Sequence, residues 1–281
     1  MFRKITLIFI GLIIFSSLFA TEVIETYFKF SITSRQELDK LSKIISIDNV
    51  KNLEVYAYAN EKELSEFQKL GYSYTILSHP GTLYIPKMAF SREEMRDWDY
   101  YPTYETYVDI MYQFAIDYPS FCIVENIGYS VEGREILFAK ISNNVDIEEN
   151  EPEFLYTSTM HGDETTGYVL MLHLIDYLLS NYGIDPQVTN LIDEVEVWIN
   201  PLANPDGTYH GGNNSVWGAI RYNVNGVDLN RNFPDPEDGP HPDGNEWQPE
   251  TIVMMNLADE HNFVLSANFH SGEEVVNYPW D

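Results

Sequence analysis

The sequence predicts an α/β protein built around a mixed or parallel sheet, preceded by a smaller α+β unit. Two observations carry this. Short apolar runs of strand length alternate with helical segments through the second half of the chain. Long Gly-, Asn- and Pro-rich loops then occupy residues 202–250, and loops of that length in a compact domain are usually functional. At 281 residues, 44% hydrophobic and 14% aromatic, the chain suits a large domain with a small one and argues against disorder.

Residues 1–20 read as a secretory signal peptide, with Arg3 and Lys4 ahead of an uncharged apolar run and Ala20 at the cleavage position. The run is short for a membrane span. Leu18 departs from the small-x-small cleavage pattern, so a retained anchor is the alternative. The expected location is secreted or periplasmic, with no stable membrane insertion after cleavage. The net charge of −28 argues against nucleic acid. It either favours cationic ligands or simply keeps a secreted protein soluble. One cysteine, Cys122, excludes an internal disulfide and reads as a buried, inert thiol.

Residues 21–86 form the small α+β unit. Residues 26–32 alternate like a strand; Ser34 and Glu37 make a capping box for a helix with Leu38, Leu41, Ile44 and Ile45 on one face. Residues 52–59 alternate again, and Asn60 with Glu63 starts a second helix that Gly71 stops. Residues 74–77 and 82–85 add strands around Pro80-Gly81. The unit carries no evident chemistry and could be a pro-domain, a chaperoning segment or a binding module. Residues 87–100 read as a linker, and residues 101–281 as the second domain. There, Thr103 caps a helix that Pro119 ends. Strands are expected at 122–127, 136–141, 154–158, 195–199 and 263–268, with helices over 165–180 and 251–260. His173 shares a polar stripe with Asp176 and Ser180, the pattern of a surface histidine.

Three residues follow strand ends: His161 and Glu164 after the strand at 154–158, and His270 after the strand at 263–268. Sites in open α/β sheets form beyond the carboxyl ends of strands. Two imidazoles and one carboxylate are the ligand set of a catalytic zinc with an open fourth position. Between residues 141 and 281 the only Lys or Arg are Arg221 and Arg231, against 25 Asp and Glu. An arginine fork matches a carboxylate bidentately. Alternatively, each arginine anchors its loop through Asp228 or Asp235.

The text His161-Gly162-Asp163-Glu164, Asn204-Pro205-Asp206-Gly207, 226–233 (GVDLNRNF), 266–271 (SANFHS) and Asn277-Tyr278-Pro279 resembles the zinc metallocarboxypeptidases. The likeness covers about residues 101–281; the small unit is more loosely similar to those that precede secreted bacterial versions. The resemblance implies a mixed eight-stranded sheet with helices on both faces. It implies one zinc ion held by His161, Glu164 and His270, with Asp228 hydrogen-bonded to a ligand histidine. Arg221 would polarise the scissile carbonyl, and Asn230 and Arg231 would grip the free C-terminal carboxylate of a peptide or protein. Asp206 reads as a turn-former. The subgroup resembled is the regulatory one, which favours C-terminal Lys or Arg, and Asp281 matches its specificity aspartate.

The family's general-base glutamate lies on a later strand, and the sequence stops eleven residues after His270. Glu273 and Glu274 do not sit in the base motif. The expectation is an incomplete reading frame, with a domain incomplete at its C-terminus and a chain that alone lacks the base. The alternatives are a non-catalytic protein that binds zinc or peptide C-termini, and a periplasmic carboxypeptidase of cell-wall peptides.

Overall fold

The computed structural model describes residues 25–147, 149–272 and 275–278. The predicted signal peptide, Glu273, Glu274, Pro279 and Asp281 therefore lie outside the described residues.

The first unit is a four-stranded antiparallel sheet with strand order β2-β3-β1-β4. Its strands are β1 (Thr26–Ser31), β2 (Ser46–Lys51), β3 (Glu54–Ala59) and β4 (Tyr74–Ile76). Helices α1 (Leu38–Leu41) and α2 (Glu61–Lys69) accompany them. Phe28, Phe30, Val55, Ala57 and Phe67 are buried between sheet and helices. The Asn60 box forms as expected: Glu63 N–H donates to the Asn60 side chain and Asn60 N–H donates to Glu63. Three expectations are corrected. The first helix ends at Leu41. Residues 82–85 are not a strand; Tyr84 and Ile85 are exposed and unpaired, so their apolar character reflects no buried face. Strand β2 is additional. Its polar sequence hid it, and it pairs with β3 through a tight turn in which Asn52 and Leu53 both take positive φ.

Residues 87–100 pack onto the larger domain. Strand β5 (Met88–Ala89) pairs parallel with β6 (Tyr101–Pro102), and Ala89 and Met95 are buried in the main core. Helix α3 (Tyr104–Asp117) follows, its Thr103 hydroxyl accepting from Thr106 N–H. The main sheet has strands β7 (Cys122–Tyr129), β8 (Glu135–Ile141), β9 (Glu153–Ser158), β10 (Glu196–Asn200) and β11 (Phe263–Phe269), in the order β11-β9-β10-β8-β7. Helix α4 (Thr166–Asn181) and the unanticipated α5 (Pro186–Glu194) cross between β9 and β10. The short α6 (Pro205–Thr208) lies in the long loop region, and α7 (Pro249–Glu260) precedes β11.

The sheet is mixed, as expected: β9 runs parallel to β10 and β11, while β8 is antiparallel to β10 and β7. Helices cover both faces. Residues of α3, α4 and α5 form the main core on one face, and Leu257, Val253 and Met254 of α7 pack on Ile136, Phe138 and Trp198 on the other. Among the described residues the sheet has five strands rather than eight.

Register explains where the candidate residues land. Thr157 of β9 lies opposite both Asn200 of β10 and Asn268 of β11. Three parallel strands therefore end level, and the loops carrying His161, Asn204 and His270 leave from one rim. His173 is exposed on α4 and stacks on Trp98. Cys122 is buried, and burial pushes its thiol up to about 12.

Candidate metal and substrate site

Strand β9 stops at Ser158, and Thr159 turns the chain sharply with φ of 59°. A β-branched residue in the left-handed region is strained, and such strain collects at functional turns. Here it is held by a full set of bonds. The Thr159 hydroxyl donates to Glu164 O, and its carbonyl accepts from Asn204 N–H. The following segment is pinned from the loop region: Thr208 Oγ1 donates to Gly162 O at 2.8 Å, and Gly162 N–H donates to Arg221 O at 3.1 Å.

The three candidate ligands converge. His161 Nδ1 lies 2.8 Å from Glu164 Oε1, and His270 Nδ1 lies 2.9 Å from Glu164 Oε2. The two Nδ1 atoms are 3.1 Å apart. On its far side, His161 Nε2 meets Asp228 Oδ1 at 3.1 Å. An ionised carboxylate only accepts, so each ring nitrogen of His161, facing one, carries a proton, and the Nδ1 proton is the one a metal would displace. The Asn268 amide nitrogen lies 3.0 Å from His270 Nε2 and donates to it, so the His270 proton sits on Nδ1 and likewise faces Glu164. Both Nδ1 atoms thus converge on one carboxylate, and a cation placed among them would take the position of their protons. The donor set, two nitrogens and a carboxylate, is that of zinc, and ligand bonds of ~2.0–2.2 Å would require only a small spreading of the atoms. The residues thus fit the metal that the sequence implies. The imidazole held by a carboxylate on its outer nitrogen is the arrangement that orients a metal-binding histidine.

Electrostatics concentrate charge here. Burial alone would raise the Glu164 carboxyl, but hydrogen bonds from His161 and His270 and the Arg221 charge hold it well below the usual carboxylate range. Asp228 behaves likewise: His161 and Arg221 outweigh its burial. Arg221 is buried and donates from Nη1 to Glu164 Oε1 at 3.1 Å, with Nε 3.6 Å from Asp228 Oδ2. Asp228 also caps the short turn Leu229–Arg231, its Oδ1 accepting from Asn230 N–H at 2.9 Å. Asn230 and Arg231 are exposed on that turn. The structure therefore brings His161, Glu164, His270, Arg221 and Asp228 together, sets Asn230 and Arg231 beside them, and leaves Asp281 outside the described residues. Both readings of Arg221 apply at once, because it pairs with Asp228 and with a candidate ligand. Arg231 pairs with neither aspartate, and Asp235 instead receives backbone N–H groups of Glu237 and Asp238.

Asp206 is more than a turn residue. It is fully buried and accepts from Ser130 Oγ, Glu132 N–H and Arg134 Nη1 at 2.6–2.8 Å, tying the β7–β8 connection to α6. The small unit, expected to be without chemistry, supplies Ser46, Glu25 and Glu63 to the loop carrying Arg221 and Asp228. No local motif marks these residues, since their partners lie more than 150 positions away in sequence.

Two other clusters are poorer cation sites. In Glu25–His79–Asp163, His79 Nδ1 accepts Gly81 N–H, so Nε2 carries the proton that faces Glu25. In Glu153–Glu196–His261, Glu196 is already engaged by Lys140 at 2.8 Å and Trp198 Nε1 at 2.7 Å.

Comparison with known proteins agrees with this geometry. Residues 107–281, more than half of the chain, match the model of the zinc carboxypeptidase family. Carboxypeptidase D of Rattus norvegicus is 40% identical over 211 residues, 72% of this chain and 15% of that protein. Carboxypeptidase M of Mus musculus is 41% identical over 169 residues, covering 59% of this chain and 38% of that protein. The catalytic chain of carboxypeptidase N of Homo sapiens is 36% identical over 200 residues, covering 63% and 44%. The chain thus spans less than half the length of each of these relatives. The crystal structure of carboxypeptidase A from Helicoverpa armigera superposes with a TM-score of 0.57 at 20% identity, over 89% of this chain and 70% of that one, a likeness of fold. The resemblance seen in the motifs, including that to the regulatory subgroup, is borne out, and the chain belongs to the zinc carboxypeptidase family.

Proposed function

We propose that this chain carries the metal- and substrate-binding residues of a zinc-dependent carboxypeptidase that removes the C-terminal residue of peptides or proteins. The observation that carries the reading is the convergence of His161 Nδ1, His270 Nδ1 and both Glu164 oxygens within 2.8–3.1 Å, beside a buried arginine. Zinc, when bound, supplies Lewis acidity and lowers the pKa of a coordinated water. His161, Glu164 and His270 hold it, and Asp228 fixes the His161 ring. Arg221 meets the scissile carbonyl and stabilises the charge that develops on its oxygen. Asn230 and Arg231 take the terminal carboxylate, which restricts cleavage to chain ends. A preference for C-terminal Lys or Arg follows from the acidity of residues 141–281 and from Asp281. Action is expected in a secreted or periplasmic setting, and the acidic surface argues against nucleic acid as a partner.

The test compares peptides ending in Arg or Phe, with free or amidated C-termini, with and without a chelator. The expected result is zinc-dependent binding of the free Arg-ended peptide, abolished by the chelator, restored by zinc and blocked by amidation, with hydrolysis scored separately. Hydrolysis indifferent to chelator or to amidation would overturn the reading. Preference for Phe would remove the specificity, and zinc uptake without any binding of the free C-terminus would overturn the substrate role.

A further inference from the structure

We propose that the small N-terminal unit is a working wall of this site and that Ser46 is the positioning residue through which it acts; the inference rests on the zinc-peptidase reading above. The loop at 219–228 carries Arg221 and Asp228, and the small unit meets its polar groups at five places. The Glu25 carboxylate accepts the backbone N–H groups of Arg221 and Tyr222, each at 3.1 Å, and its Oε1 lies 2.8 Å from His79 Nε2. Asn60 Nδ2 donates to Gly226 O at 2.8 Å, and Tyr222 Oη donates to Glu63 at 2.7 Å. The Tyr58 ring lies 5.4 Å from the Arg221 guanidinium. Ser46 Oγ accepts from Arg221 Nε at 2.6 Å and donates to Asp228 Oδ2 at 2.6 Å.

The Ser46 hydroxyl is thus a spacer with one donor and one acceptor use, which a methyl group cannot supply. It keeps Arg221 Nε 3.6 Å from Asp228 Oδ2, beyond direct hydrogen bonding. Without it, two buried opposite charges would close on each other. Arg221 would then draw away from Glu164, and Asp228 would turn its other oxygen off His161 Nε2. Among the described residues, the small unit's hydrogen bonds to the larger domain reach Gly218, Arg221, Tyr222, Gly226, Asp228 and Asp238, and none reaches His161, Glu164 or His270. It braces the groups around the ligands and does not occupy the ligands themselves.

The experiment uses the full chain with Ser46→Ala, Ser46→Thr and Glu25→Gln. Zinc affinity is measured by chelator competition, and kcat and KM on a peptide with a free C-terminal Arg. Ser46→Ala should bind zinc about tenfold or more weakly, the effect expected for a group that orients a ligand through its partner. Its kcat should fall by a similar factor with KM little changed. Ser46→Thr, which restores the hydroxyl, should recover most of both, and Glu25→Gln should lower kcat in the same direction. Unchanged zinc affinity and kcat in Ser46→Ala would overturn the proposal. So would a rise in kcat in Ser46→Ala or Glu25→Gln, the mark of a unit that covers the site. If the wild type binds zinc but cleaves no peptide, the zinc affinities alone still decide the role of Ser46.

Discussion

Replacing Gly162 by alanine tests whether the ligand loop is held by backbone-to-backbone packing. A Cβ at this position would lie 2.4 Å from Gly207 C, 2.5 Å from Thr208 N and 2.6 Å from Gly207 Cα. Carbon contacts settle at about 3.5–4.0 Å, so the two segments must separate by roughly 1 Å. No side chain can swing away, because every atom met is main chain. The segments are also tied by Thr208 Oγ1 to Gly162 O, Gly162 N–H to Arg221 O and Ile220 N–H to Gly207 O. Overpacking of this kind costs about 1–3 kcal/mol. The loop that must yield carries His161 and Glu164, so the strain falls on the proposed metal site. The expected outcome is a lowered thermal midpoint together with a loss of zinc affinity of about tenfold, the equivalent of ~1.4 kcal/mol. The control is Gly183→Ala, where φ is 76° and the Cβ meets open space. It should cost about 1–2 kcal/mol for the left-handed backbone and leave zinc affinity unchanged. Wild-type zinc affinity and stability in Gly162→Ala would refute the packing argument.

Two further outcomes follow from buried charge. Arg134→Leu leaves Asp206, which is fully buried, without its cation and should destabilise by ~3–5 kcal/mol in urea titrations. Adding Asp206→Asn should recover part of that, and a loss below ~1 kcal/mol would show the pair to be well solvated. Burial pushes the Glu63 carboxyl up to about 7, above an unfolded value near ~4.3. The folded state then holds the extra proton between these values, so this contribution to stability is full below ~4.3 and is lost as pH rises to about 7. Because Glu63 is only partly buried, the loss should be about 1–2 kcal/mol between pH 5 and 8. Glu63→Gln should flatten that slope, and an unaltered slope in this variant would assign the pH dependence to other groups.

How much of this was legible in the sequence depends on the range of the physics involved. Strands β8 and β10 are short apolar runs whose burial is written into their composition, whereas Val264 and Leu265 of the equally apolar β11 are exposed, and Thr103 and Asn60 announce their helices by local capping chemistry. The motif residues His161, Glu164 and His270 stood out because each follows a strand end, and parallel register then brings those ends level. Strand β2 escaped notice because Asp48 and Asn49 carry no strand propensity; its pairing comes from the β3 neighbour. Residues 82–85 erred the other way, since their apolar side chains look buried but face solvent. Helix α5 has an amphipathic face and an Asp185 cap, both of them local signals present in the sequence.

Sequence by itself determined the alternation of elements, the ligand types and the family likeness, because capping, periodicity and motif spacing act within a few residues. Only the tertiary structure decided that Ser46 and Glu25 stand against Arg221, and that Asp228 divides its oxygens between His161, Asn230 and the small unit. Hydrogen bonds between residues 175–196 positions apart leave no periodic trace in the chain, and only packing two sheets against one loop brings them together.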